Sequence, residues 1–189
     1  MDIRLGAVRE EDVTFSATGH THTGGADGEN IPTTGIVNSA ITLEKLASSR
    51  GALVYKSADQ AIANITLVLL TWNSETYDTD SIHDNVTNNT RLTVPAGVTQ
   101  VKLKASIRWQ GNATGDRSVL FLKNNLSFRG TNSVVIPGVN ASSKGIVLST
   151  PVLDVVAGDY FEMQVYQDSG GSLNIMIDNA TYFAMELIK

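Results

Sequence analysis

The stretch VKLKASIRWQ, residues 101–110, sets Val101, Leu103, Ala105, Ile107 and Trp109 in strict alternation with Lys102, Lys104, Ser106, Arg108 and Gln110. Successive side chains of extended backbone point to opposite sides, so this period of two predicts a β-strand with one buried and one wet face. Shorter runs of similar character occupy residues 52–56, 65–71, 90–94, 117–123, 146–156, 160–166, 173–177 and 181–188. Turn clusters separate them: PAG at 95–97, GNATGD at 111–116, AGD at 157–159 and SGG at 169–171. Many short strands with turns between them predict an all-β antiparallel sandwich or jelly roll over residues 51–189.

The rest of the composition narrows the class. At 189 residues the chain is one domain plus an appendage, long enough to bury a core. A hydrophobic content of 42% with 17% charged residues excludes wholesale disorder, and 16 glycines fall far short of a collagen repeat. With no cysteine, disulfides, Cys-ligated metal and thiol nucleophiles are excluded. A net charge of −5 and a pI near 5.1 argue against a phosphate-binding surface, so no nucleic-acid partner is expected. The longest apolar stretch, residues 65–70, is far below the ~20 residues of a membrane span, and no membrane insertion is expected. The opening MDIRLGAVREEDVTF carries Glu10, Glu11 and Asp12 where a signal peptide has a basic start and an apolar run, so no secretory signal is expected.

Residues 1–50 read differently. They hold seven acidic and four basic residues, three of the five excess negative charges. TGHTHTGGADGENIPTTG, residues 18–35, has no hydrophobic periodicity and cannot bury enough apolar area to order itself. A copy of itself or a partner is expected to hold it. In residues 36–50, Ile36, Leu43 and Leu46 fall on a and d positions of a short heptad register, with Ser39 on the intervening d. A short helix over 42–48, ended by Gly51, is predicted, and it suits a self-associating neck or a linker with one helical turn.

The closing strand TYFAMELIK breaks the simple alternation. Phe183, Met185 and Leu187 line one face while Tyr182, Ala184 and Ile188 line the other. A strand apolar on both faces of an antiparallel sheet packs one face on its own core and the other on a second surface. Subunit packing is therefore expected, with Ile36, Leu43, Leu46, Tyr182, Ala184 and Ile188 as interface residues; a central strand covered by its own loops is the alternative.

YDTDSIHDNVTNNTRLTVPAGVTQVKLKASIRW, then GDRSVLFLKNN, AGDYFEMQVYQ and the final TYFAMELIK together resemble the C1q/TNF-like jelly roll as it occurs in phage fibre and spike proteins. The matching features span residues 51–189. GHTHTGGADGENI followed by ITLEKLASS similarly resembles the His-rich collar and short helix that precede such heads in phage virion proteins. The resemblance implies a homotrimer of jelly rolls whose double-faced last strand packs around the threefold axis, with an extended N-terminal arm and a short helical neck. It supplies no catalytic residue and no transferable calcium site.

His20 and His22 form His-x-His; i and i+2 project to one side of extended backbone, and three copies around an axis would present six imidazoles to an octahedral transition metal. Two solvated histidines in a turn fit the same residues. Asp78, Asp80 and Asp84 sit in YDTDSIHD, part of a calcium loop, but the central glycine and distal glutamate are missing. Ser81, His83 and Asp84 are the residue types of a hydrolase triad, yet the neighbouring His83 and Asp84 are poorly placed to pair, and no Gly-x-Ser-x-Gly elbow occurs. Seven Asn-x-Ser/Thr sequons follow from an Asn- and Thr-rich composition. Loops at 72–90, 111–116 and 129–145 are expected to face a ligand, with Trp72, Tyr77, His83 and Asn112 as contact residues and Trp109 in the core.

The expectation is a non-enzymatic virion protein on the exterior of a phage particle, made in the host cytoplasm. Residues 1–35 dock to capsid or tail proteins, 36–50 form the neck, and 51–189 form a head that attaches to a glycan or protein of the host surface. A capsid decoration or cement protein is the alternative, and a depolymerase ranks last for want of a carboxylate pair.

Overall fold

In the computed structural model of the chain the residues described are 50–129, 134–137 and 142–188. The chain divides into two units, Met1–Ser48 and Ser49–Lys189. The expected arm at 1–35 lies outside the described residues, as does the neck apart from Arg50. The described residues of the second unit form thirteen strands: β1 (Gly51–Tyr55), β2 (Gln60–Ile62), β3 (Val68–Leu69), β4 (Ser74–Asp78), β5 (Arg91–Thr93), β6 (Gln100–Trp109), β7 (Asp116–Lys123), β8 (Val134–Pro137), β9 (Lys144–Ser149), β10 (Leu153–Asp154), β11 (Tyr160–Gln167), β12 (Leu173–Ile175) and β13 (Tyr182–Leu187).

Two antiparallel sheets face each other. The first runs β2-β12-β6-β13-β1-β4, with β9 and β10 also pairing with β6; the second runs β3-β11-β7-β8, with β5 on β11. The alternation in β6 does what it predicts: Val101, Leu103, Ala105, Ile107 and Trp109 are fully buried. They meet Val119, Phe121, Phe161, Met163 and Val165 of the opposing sheet. Phe183 of β13 stands in the aromatic centre, 5.9 Å from the Trp72 ring and 5.6 Å from Phe121. Each such side chain contributes about 1.5–3 kcal/mol on leaving water, so the sandwich is held by its interior.

Several elements differ from expectation for local reasons. Residues 65–71 contribute only β3, because Ile65 turns into the left-handed region at φ 54°. Residues 146–156 split into β9 and β10 around Thr150 and Pro151; proline has no N–H for the ladder, and Thr150 Oγ1 instead accepts from Leu103 N at 3.0 Å. Gly51 begins β1, and the helix expected before it lies outside the described residues. A Cβ there would lie 2.1 Å from the Met185 carbonyl oxygen, so only glycine lets β1 and β13 approach. β2, β4 and β8 are too short or too polar to show a period in the sequence.

The register fixes the two ends. Gly51 pairs with Glu186 and Leu187 with Val101, so the chain enters at the end where β13 finishes. Trp109 pairs with Ile175, placing the turns 63–67, 110–115 and 168–172 at the opposite end.

Candidate functional site

The outer face of the first sheet is the most distinctive surface. Along β13, Phe183 and Met185 point into the core, so Tyr182, Ala184 and Glu186 point outward. Pairing sets Ala184 between Leu53 and Lys104, Tyr182 between Tyr55 and Ser106, and Leu53 opposite Tyr77. Three tyrosines and a leucine thus surround a small alanine floor. Lys104 Nζ donates to Glu186 Oε1 at 2.5 Å; the glutamate raises the lysine pKa, with smaller contributions from Tyr182 and Tyr77. Beside this patch a groove of about 800 Å³ opens between Leu53, Tyr55, Lys56, Thr76, Ile177 and Tyr182.

Lys56 forms one wall of that groove and is almost fully buried. Its ammonium donates to Gln60 Oε1 at 2.5 Å and to the Thr71 carbonyl, and lies 5.1 Å from the centre of the Trp72 ring. Its hydrogen-bond and ring partners among the described residues, Gln60, Thr71 and Trp72, are all uncharged, and burial pushes its pKa down to about 8. The sequence shows only a lysine ending an apolar run, so nothing marked it in advance.

The expected interface and ligand residues are distributed unevenly. Tyr182 and Ala184 lie on the outer face as the double-faced strand implied, and Ile188 follows β13 half-exposed. Ile36, Leu43, Leu46, His20 and His22 lie outside the described residues. Trp72 is not a ligand contact: it is fully buried against Phe183, because the chain after β3 turns inward at this point. His83 is not one either; its side chain is inaccessible, with Nδ1 2.9 Å from Glu75 Oε1. Tyr77 is exposed, but on β4 and facing the outer sheet surface. Asn112 is half-buried in its loop, where Oδ1 accepts from Thr114 N at 2.7 Å.

The calcium and triad patterns dissolve in the structure. Asp78 accepts from the amides of Asp80, Ile82 and His83, and Asp84 accepts from Val86 and Thr87. These carboxylates shape a turn. Among the described residues no group of three His, Cys, Asp or Glu could hold a metal. His83 pairs with Glu75 rather than Asp84, so no base is oriented toward Ser81.

At the end away from Gly51, a buried polar network binds three turns together. Arg117 is 1% exposed and donates to the carbonyls of Thr114, Asp116 and Asn112. Gln167 Nε2 donates to Ile62 O at 3.0 Å and Gly171 O at 2.8 Å, while its Oε1 accepts from Ser169 N. Gly115, at φ 68°, passes so close to Asp168 that a Cβ would sit 2.3 Å from its carbonyl oxygen. The sequence hides this network because an arginine in a strand normally reads as a wet-face residue.

Two facing antiparallel sheets in this order, with a long central β6 and a core-filling β13, define a jelly-roll sandwich. Among solved structures the chain is similar to murine APRIL at pH 5.0, with TM-score 0.53 and 6% identity over 75% of this chain and 100% of that one. It is also similar to murine APRIL at pH 8.0, with TM-score 0.51 and 7% identity over 73% and 98% of the two chains. Eiger TNF from S. frugiperda aligns at TM-score 0.50 and 9% identity, covering 75% of this chain and 93% of that one. The head therefore has the C1q/TNF-like jelly-roll fold. No protein-family profile and no curated protein matches the sequence. Among the described residues no helix is long and apolar enough to cross a membrane.

Proposed function

We propose that the chain is a non-enzymatic subunit of a phage virion appendage, a homotrimer that presents its jelly-roll head for attachment to a host surface. The observation that carries this reading is the outer face of the first sheet, where Leu53, Tyr55, Tyr77 and Tyr182 stand around Ala184 on a strand whose other face already fills the core. An apolar, tyrosine-rich sheet face of this kind gains most when a copy of the same chain covers it. Residues 1–35 then dock to capsid or tail proteins on the particle exterior, and a transition metal shared by His20 and His22 of three chains belongs to the same proposal. Multivalency across the trimer offsets weak individual contacts.

Sedimentation of the full-length protein tests assembly: a trimer is expected, and Ala184→Arg at the centre of the face is expected to yield monomers that keep the wild-type β spectrum. A wild-type monomer at high concentration would remove the reading's basis. Electron microscopy of intact particles tests location. Particles lacking the protein should lose adsorption; bursting more readily with normal adsorption would favour a cement role instead.

A further inference from the structure

We propose that the turn bearing Ile65 and Leu67 is a preformed apolar knob that docks into a socket on a protein partner, an inference that rests on the head being presented outward. Among the described residues four non-glycine positions have positive φ: Ile65 at 54°, Ser81 at 56°, Asn124 at 51° and Asn125 at 65°. Serine and asparagine enter that region through local hydrogen bonds, whereas a β-branched residue there is an outlier. Burial does not compensate Ile65, because it is 67% exposed and Leu67 is 62% exposed. Asparagine or glycine would serve the fold better at position 65. The isoleucine side chain is therefore of use to something outside the head.

The surroundings hold the strained turn in place. Ile65 N donates to Gln167 O at 2.8 Å, Gly170 N donates to Asn64 Oδ1 at 2.8 Å, and Gln167 itself is locked to Ile62 and Gly171. A knob fixed before contact loses little conformational freedom on binding. The turn lies at the end opposite Gly51, where the chain enters the sandwich.

The chemistry selects a protein. Sugar rings stack on flat aromatic faces, but residues 61–67, 110–116 and 168–172 contain no aromatic residue, and both tryptophans are fully buried. Anionic lipid surfaces attract Lys and Arg, which these turns also lack, while Asp116 and Asp168 stand nearby. An apolar socket with a basic rim complements such a tip.

The test uses labelled full-length protein on intact cells of the strain in which the particle grows, with untreated, protease-treated and periodate-treated cells compared. Wild type is expected to bind untreated and periodate-treated cells and to lose the protease-treated ones. Ile65→Asn is expected to keep or raise Tm, by about 3 °C, while binding falls at least tenfold. Ile65→Asp with Leu67→Asp should abolish binding with the fold intact. Undiminished binding by Ile65→Asn overturns the knob alone, as does loss on periodate treatment with protease having no effect. No binding by wild type overturns host attachment and the knob with it.

Discussion

Lys56 sits where its charge is expensive, under Trp72 and with only uncharged partners among the described residues. Its pKa falls from 10.5 to about 8 in the folded head. Between those values the unfolded chain holds a proton that the folded chain has released, so stability rises with pH from about 8 to 10.5, by up to about 3 kcal/mol. Urea unfolding of wild type and Lys56→Met across that range checks the sign: the rise should vanish in the variant. Gly115→Ala should cost roughly 3 kcal/mol, since it forces alanine into a left-handed φ and drives its Cβ against Asp168. A midpoint shift of less than 1 M urea would contradict that. Individual side chains were the least legible part of the sequence. Trp72 reads as a loop aromatic from its neighbours Thr71 and Asn73, and only the opposing Phe183 makes it core.

Asp159 clasps two strands together. Its carboxylate accepts from Lys123 Nζ at 2.7 Å, Asn124 Nδ2 at 2.8 Å and Val156 N at 2.9 Å, joining the end of β7 to the start of β11. Burial alone would raise its pKa, but the lysine, the backbone amide and the asparagine outweigh it and hold the carboxyl below its usual value of 3.8. The folded head therefore binds this proton less readily than the unfolded chain, and the clasp's contribution is lost as pH falls below 3.8 through the depressed value. Asp159→Asn should cost about 2 kcal/mol at pH 7 and flatten the acid limb of a thermal denaturation series. Elements with a strong period were readable: the expected strand at 101–110 is β6 at Gln100–Trp109. Elements broken by a single residue inside an apolar run are less readable: 146–156 has the character of one strand, and Pro151, with no N–H for the ladder, divides it.

A head whose outer sheet face is covered by its own copies is stabilised by association, so its Tm depends on concentration. The full-length protein should melt higher at tenfold greater concentration, and Ala184→Arg should melt at one temperature throughout; differential scanning calorimetry at two concentrations distinguishes them. Composition and alternation were sufficient for an all-β sandwich with a buried VKLKASIRW face and a final strand apolar on both sides, because a period of two is a local property that survives in any register. Chain folding was needed to gather Tyr55, Tyr77 and Tyr182 on one face, to bury Lys56, Trp72 and His83, and to tie Ile65 to Gln167 across the tip. Those outcomes depend on pairings between residues as far apart as Tyr55 and Tyr182, and no local pattern encodes which strand will lie beside which.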